Sequence, residues 1–241
     1  DMDDALSIES IPNGYRLGVH ISDVAALLQI DSALDRVARE RATSIYCPEQ
    51  TINMLPSELC ENALSLVQDK ERLCISYIFD LDRQFNITSW QLAPSVIKVG
   101  KRFSYDQVDR ILETPVPSST ELNDWDSRVH LLYDMAVAFE TARVERGALK
   151  VSRPDANIIV DEKGIVSLVE IDESSPARSL IGEMMILANT YSARFAAENK
   201  IPFIFRGQPA SEEDPHHNPN NIPPGPALDY MVRSHLKRST M

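Results

Sequence analysis

Asp1-Met2-Asp3-Asp4 runs without a break into Ala5-Leu6-Ser7-Ile8-Glu9-Ser10-Ile11, and Asn13-Gly14 separates that run from Tyr15-Arg16-Leu17-Gly18-Val19-His20-Ile21. Asn-Gly is a strong hairpin signal, because both residues tolerate the positive φ of a tight strand reversal. Leu6 and Ile8 on one side, and Tyr15, Leu17, Val19 and Ile21 on the other, alternate with polar or small residues as in a half-buried antiparallel pair. The spacing predicts a hairpin whose first strand begins at the acids. Successive strand side chains point to opposite faces. Asp1, Asp3 and Ala5 then share one face and Asp4 takes the other, so gathering all three carboxylates requires a turn or bulge at the start of the strand.

Ionised carboxylates this close repel one another, and the usual compensation is a hard divalent cation held by oxygen ligands. Magnesium is the natural choice, with manganese as a substitute. A calcium loop is excluded, because its pattern asks for an oxygen ligand, Gly and Glu where Ala5, Leu6 and Pro12 stand. The same acids can also be read as a solvated chain end, since charge runs are usually solvated.

The 241 residues, 43% of them hydrophobic, suffice for one large domain or two small ones. No run of roughly 18 apolar residues marks a membrane span, and no signal pattern opens the chain. Cys47, Cys60 and Cys74 show no C-x-x-C spacing. They read as thiols of a reducing compartment, cytoplasm or organelle interior. The net charge of -12 argues against broad attraction to nucleic acid, whose phosphates are normally met by Lys and Arg. Any such role must be local.

Further along, helical spacing predicts a short helix over 32–41, then the extended Ser44-Ile45-Tyr46-Cys47-Pro48 and a turn into a short helix at 54–59. The alternating runs 73–81 and 87–99 predict a long antiparallel pair turned around 83–86. Lys98, Lys101 and Arg102 after it read as solvated surface. Ser118 and Glu121 have capping-box spacing for a helix reaching Gly147, in which His130 falls off the apolar stripe. A second hairpin, 156–160 with 165–171, turns at 161–164. Ser175-Pro176 opens the strongest helix, with Leu180, Met184, Leu187 and Tyr191 as its stripe. Glu183 lies at the edge of that stripe. A carboxylate there either pairs with an arginine, the favoured reading, or lines a polar channel. Residues 208–226 read as an exposed Pro-rich loop, in which His216-His217 has no fixed ligand geometry. The fold class is α+β, a largely antiparallel sheet of hairpins with several packed helices.

Taken in order, five stretches resemble the catalytic domain of the ribonuclease II and ribonuclease R family, processive exoribonucleases that degrade RNA from its 3′ end. They are Asp1 to Ala5, Leu17 to Val24, Thr43 to Pro48, Met54-Leu55-Pro56 and Glu183 to Asn189. The resemblance implies that Asp1, Asp3 and Asp4 are catalytic and bind magnesium. It implies that Tyr46 stacks on a base near the RNA 3′ end, that Glu183 lies beside the RNA channel, and that Arg206 contacts RNA. Stacking grips any base and suits an enzyme indifferent to sequence. Without the resemblance, Tyr46 reads as ordinary core or sheet surface.

The resemblance also implies that the chain is an internal excerpt. Another aspartate is expected before Asp1, arginines after Met241, and small RNA-binding barrels on either side. Two places depart from the family pattern: no aromatic stands in the stretch Leu149-Lys150-Val151, and Gln208 occupies a place where His is common. The implied function is magnesium-dependent 3′-to-5′ hydrolysis of single-stranded RNA to nucleoside 5′-monophosphates by a monomeric full-length protein. The rival readings are a catalytically weakened RNA-binding member of the same fold and a metal-dependent phosphoesterase with another substrate.

Overall fold

A computed structural model describes residues 2–48, 50–115, 122, 124–149, 155–161, 163–171, 175–207, 222–223, 225–234 and 236–239. The opening hairpin is there as strands β1 (Asp4–Ile11) and β2 (Gly14–Ser22). Its turn is displaced by one residue from the expected one. Ile11 pairs with Gly14, so Pro12-Asn13 make the reversal and Gly14 already belongs to the strand. Tertiary packing explains the shift: a Cβ on Gly14 would stand 2.0 Å from the Leu81 carbonyl oxygen of the neighbouring strand. Gly14 is needed here for close approach as much as for turning.

Helix α1 (Ala33–Arg41) is capped by Ser32, whose hydroxyl accepts from the Asp35 amide, and ends at Ala42 with φ 60. The short strands β3 (Ile45–Tyr46) and β4 (Thr51–Ile52) pair with each other. The turn after Met54 leads into a single π-helical stretch, Leu59–Ala63. Strands β5 (Glu71–Asp82) and β6 (Ile87–Lys98) form the long antiparallel pair, and the main sheet runs β1-β2-β5-β6.

Helix α2 (Tyr105–Glu113) was not foreseen from the sequence, although Ser104 and Gln107 make a full capping box that could have announced it. Helix α3 (Trp125–Glu145) begins later than the spacing of Ser118 and Glu121 suggested, and those two residues lie outside the described ones. Its cap is Asp124, whose carboxylate accepts from the Ser127 amide at 2.7 Å. Strands β7 (Asp155–Val160) and β8 (Val166–Ile171) form the second hairpin. Helix α4 (Pro176–Glu198) starts at Ser175-Pro176 as expected, and α5 (Pro226–Ser234) follows. Most of the predicted loop 208–226 lies outside the described residues.

The register explains the layers. Ile8, Leu17 and Phe79 share one face, as do Leu6, Val19 and Tyr77. That face packs on Leu132 and Met135 of α3 and on Leu180, Met184, Ala188 and Tyr191 of α4. Tyr191 sits edge-on to both Phe79 and Trp90, each with ring centroids 4.9 Å apart. The alternate positions are polar. Ser7 Oγ is hydrogen-bonded to His20 Nε2 at 2.9 Å, His20 Nδ1 to Ser76 Oγ at 2.7 Å, and Ser76 to Ser95, so the chain of bonds crosses all four strands. Gly18 makes room for it, because a Cβ there would meet Ser7 Oγ at 2.3 Å.

His130 is buried in α3, and its Nε2 has no hydrogen-bond partner among the described residues. Its place off the apolar stripe does not expose it, because α3 packs against both α2 and α4. No helix among the described residues is long and apolar enough to cross a membrane.

Candidate active site

The acidic start is held by backbone hydrogen bonds on two sides. The Ser22 amide donates to the Asp3 carbonyl at 2.8 Å, and the Leu66 amide to the Met2 carbonyl at 2.8 Å. The Met2 amide donates to the Ser65 hydroxyl at 3.1 Å. Leu64, Ser65 and Leu66 are themselves buried, so a fixed wall positions these residues. Because β1 begins at Asp4, its register places Asp4 on the helix-covered face with Leu6 and Ile8, while Asp3 stands just outside the strand.

Asp4 is half-buried and Asp3 exposed. Burial, and then the charge of Asp3, push the Asp4 carboxyl above its ordinary value. Neither carboxylate has a hydrogen bond or ion pair among the described residues. Two consecutive carboxylates whose charges oppose each other, without a cation partner among the described residues, are the donor chemistry that a hard divalent ion takes. Asp1 lies outside the described residues, and among those described no group of three or more His, Cys, Asp or Glu side chains assembles to hold a metal.

Tyr46 stands on β3 opposite Thr51 with 76% of its surface exposed. It contributes nothing to the core, and most of its ring is open to solvent. Arg206 lies in the irregular, exposed segment after α4, without a side-chain ion pair among the described residues. Lys101 is stacked on Phe103 at 4.7 Å from the ring centroid. Gln208 and Lys150-Val151 lie outside the described residues, while Leu149 is described as half-buried.

Glu183 is paired with a residue of α3. Arg143 Nε donates to Glu183 Oε2 at 3.2 Å and Nη2 donates to Oε1, forking the guanidinium onto both oxygens. These bonds raise the Arg143 pKa and outweigh burial, which by itself lowers it. Of the two alternatives for Glu183, the geometry therefore contains the arginine pair. Reading the sequence did not single out Arg143, and the only signal for it was the requirement that a buried carboxylate find a cation.

The four-stranded sheet, the helix layer and the bolted acidic start define a known class: the chain belongs to the RNB domain family, whose model matches residues 1–231. It is 35% identical over 240 residues to an uncharacterized ribonuclease of Synechocystis, covering 99% of this chain and 35% of that protein. It is 38% identical over 208 residues to ribonuclease R of Thermotoga maritima, covering 86% of this chain and 29% of that protein. The chain thus spans about a third of the length of these curated relatives. Among solved structures, Mycoplasma genitalium RNase R in complex with ribose-methylated single-stranded RNA matches with TM-score 0.82 and 25% identity, over 99% of this chain and 42% of that one. Yeast Ssd1, described as a pseudonuclease, shares the fold with TM-score 0.65 and 21% identity, over 86% of this chain and 25% of that one.

Proposed function

We propose that this chain is the metal-binding part of a 3′-to-5′ exoribonuclease that hydrolyses single-stranded RNA to nucleoside 5′-monophosphates. The observation that carries the reading is the pair Asp3 and Asp4, rigidly placed and without a cation partner among the described residues, in a chain of the RNB family. Asp1, Asp3 and Asp4 would hold magnesium, with manganese as a substitute. When bound, the ion supplies an activated water and charge stabilisation at the scissile phosphate. The chain's own part is to fix the carboxylates through Ser22, Ser65 and Leu66, and to grip the RNA. Tyr46 stacks on a base near the 3′ end, Glu183 belongs to the wall of the RNA path, and Arg206 contacts RNA. No side-chain nucleophile is required. The protein works as a monomer in the cytoplasm or an organelle interior.

The test is a time course of labelled single-stranded RNA with the full-length protein, with and without magnesium. Metal-dependent release of mononucleotides is expected. Cleavage only of phosphomonoesters would move the protein to another class of phosphoesterase. In the same assay Tyr46→Ala should leave a longer residual oligonucleotide, since one base stack contributes about 1–3 kcal/mol of grip. Unchanged product lengths would remove Tyr46 from the RNA path. One observation favours a second reading: the fold is also that of a pseudonuclease. An RNA-binding protein without hydrolysis would bind the labelled RNA and leave it intact.

A further inference from the structure

The pair between α3 and α4 is unequal. The Glu183 side chain is 8% exposed and accepts on both oxygens, whereas that of Arg143 is 27% exposed. A guanidinium carries five N–H donors in a rigid fork. Arg143 spends one on Nε and one on Nη2. The other three, including both on Nη1, have no partner among the described residues. Glu140, one turn earlier on the same helix, adds its field to that of Glu183 in keeping Arg143 charged. The carboxylate is thus the hidden member, and the arginine is the one that offers donors to solvent.

A pair built only for stability has little reason to be ionic, because well-packed apolar residues often serve a buried position as well or better. Holding a guanidinium in one plane is what a buried carboxylate does well. A guanidinium held that way presents its remaining N–H groups at the spacing of two phosphate oxygens, which a flexible lysine cannot do. Across these residues, with a net charge of -12, any RNA contact rests on single, well-placed cations rather than on a basic surface.

We propose that Arg143 contacts a phosphodiester of single-stranded RNA and that Glu183 is the residue that positions it. This rests on the nuclease reading above, and it makes Glu183 part of the RNA path through Arg143 rather than by direct contact.

The test uses the full-length protein and a labelled ribose-methylated single-stranded oligonucleotide, with binding measured without divalent cation over a range of salt concentrations. Arg143→Met combined with Glu183→Leu removes the pair without leaving a buried charge unpaired and without changing the net charge. Its affinity should fall, and the slope of log K against log salt should become shallower by about 0.7, the value for one phosphate contact on a single strand. Arg143→Lys should keep the slope and lose affinity, because the charge remains and the fork does not. A double variant with parental slope and affinity would overturn the proposal and leave the pair structural, with the nuclease reading standing if the parent still degrades RNA through Asp3. A parent that neither binds nor degrades RNA would overturn both.

Discussion

At the start of β1 two consecutive carboxylates have no ion pair among the described residues, whereas on α4 one carboxylate is taken up on both oxygens by Arg143. Both places hold an acid withdrawn at least in part from solvent, Asp4 and Glu183, and the family resemblance marks both as candidates for the same RNA-degrading site. Their electrostatics are opposite. The Asp3–Asp4 pair is in tension by itself and would be relieved by a ligand of positive charge, while the Glu183–Arg143 pair is already balanced by itself. A metal-assisted nuclease needs both kinds of place, one for the ion and one for the substrate backbone.

The difference can be broken most sharply by removing the charges one centre at a time. Asp3→Asn or Asp4→Asn in the full-length protein should lower mononucleotide release by about a hundredfold or more while RNA affinity stays within a few fold, because the lost charge serves the transition state. Full hydrolysis in both variants would show that the acids are only a solvated strand end. Folding should not suffer, since each change relieves repulsion.

Breaking the other centre should act on stability first. Glu183→Ala leaves the Arg143 charge partly buried without a partner, and a loss on the order of 3 kcal/mol is expected by denaturant unfolding. The combined Arg143→Met and Glu183→Leu change should recover most of it. If Glu183→Ala unfolds at the parental denaturant concentration, the pair is a surface contact and the contrast between the two centres disappears.

The smallest effect is one of pH. The Asp4 carboxyl is held above its ordinary value by burial and then by Asp3, so the folded chain binds that proton more readily than the unfolded chain. Its contribution to stability is therefore full below the ordinary carboxylate range and is lost as pH rises through the raised pKa. Asp4→Asn should flatten this part of the stability curve. A parental curve in that variant would mean that another group is responsible.

Much of the architecture was legible because it rests on local rules. Alternation marked β1, β2, β5 and β6, and Ser175-Pro176 announced α4. Apart from α2, whose capping box is a local signal, what escaped was decided between elements. Pro12-Asn13 replaced Asn13-Gly14 as the turn because β5 approaches Gly14 too closely for a side chain. His130, off the apolar stripe, is buried because α3 has neighbours on more than one side.

The site divides in the same way. By itself the sequence determined that acids cluster at the start of a strand, that Tyr46 sits in an extended segment, and that Glu183 lies on the edge of a buried stripe, since each of these follows from residue type and spacing along one element. Only the tertiary structure decided that Tyr46 is exposed, that Asp4 is half-buried beside an exposed Asp3, and that Arg143 is the partner of Glu183. Burial and ion pairing are set by what a neighbouring element brings. For Glu183 that neighbour is α3, whose arginine lies 40 positions earlier in the chain, at no spacing that local periodicity relates to Glu183.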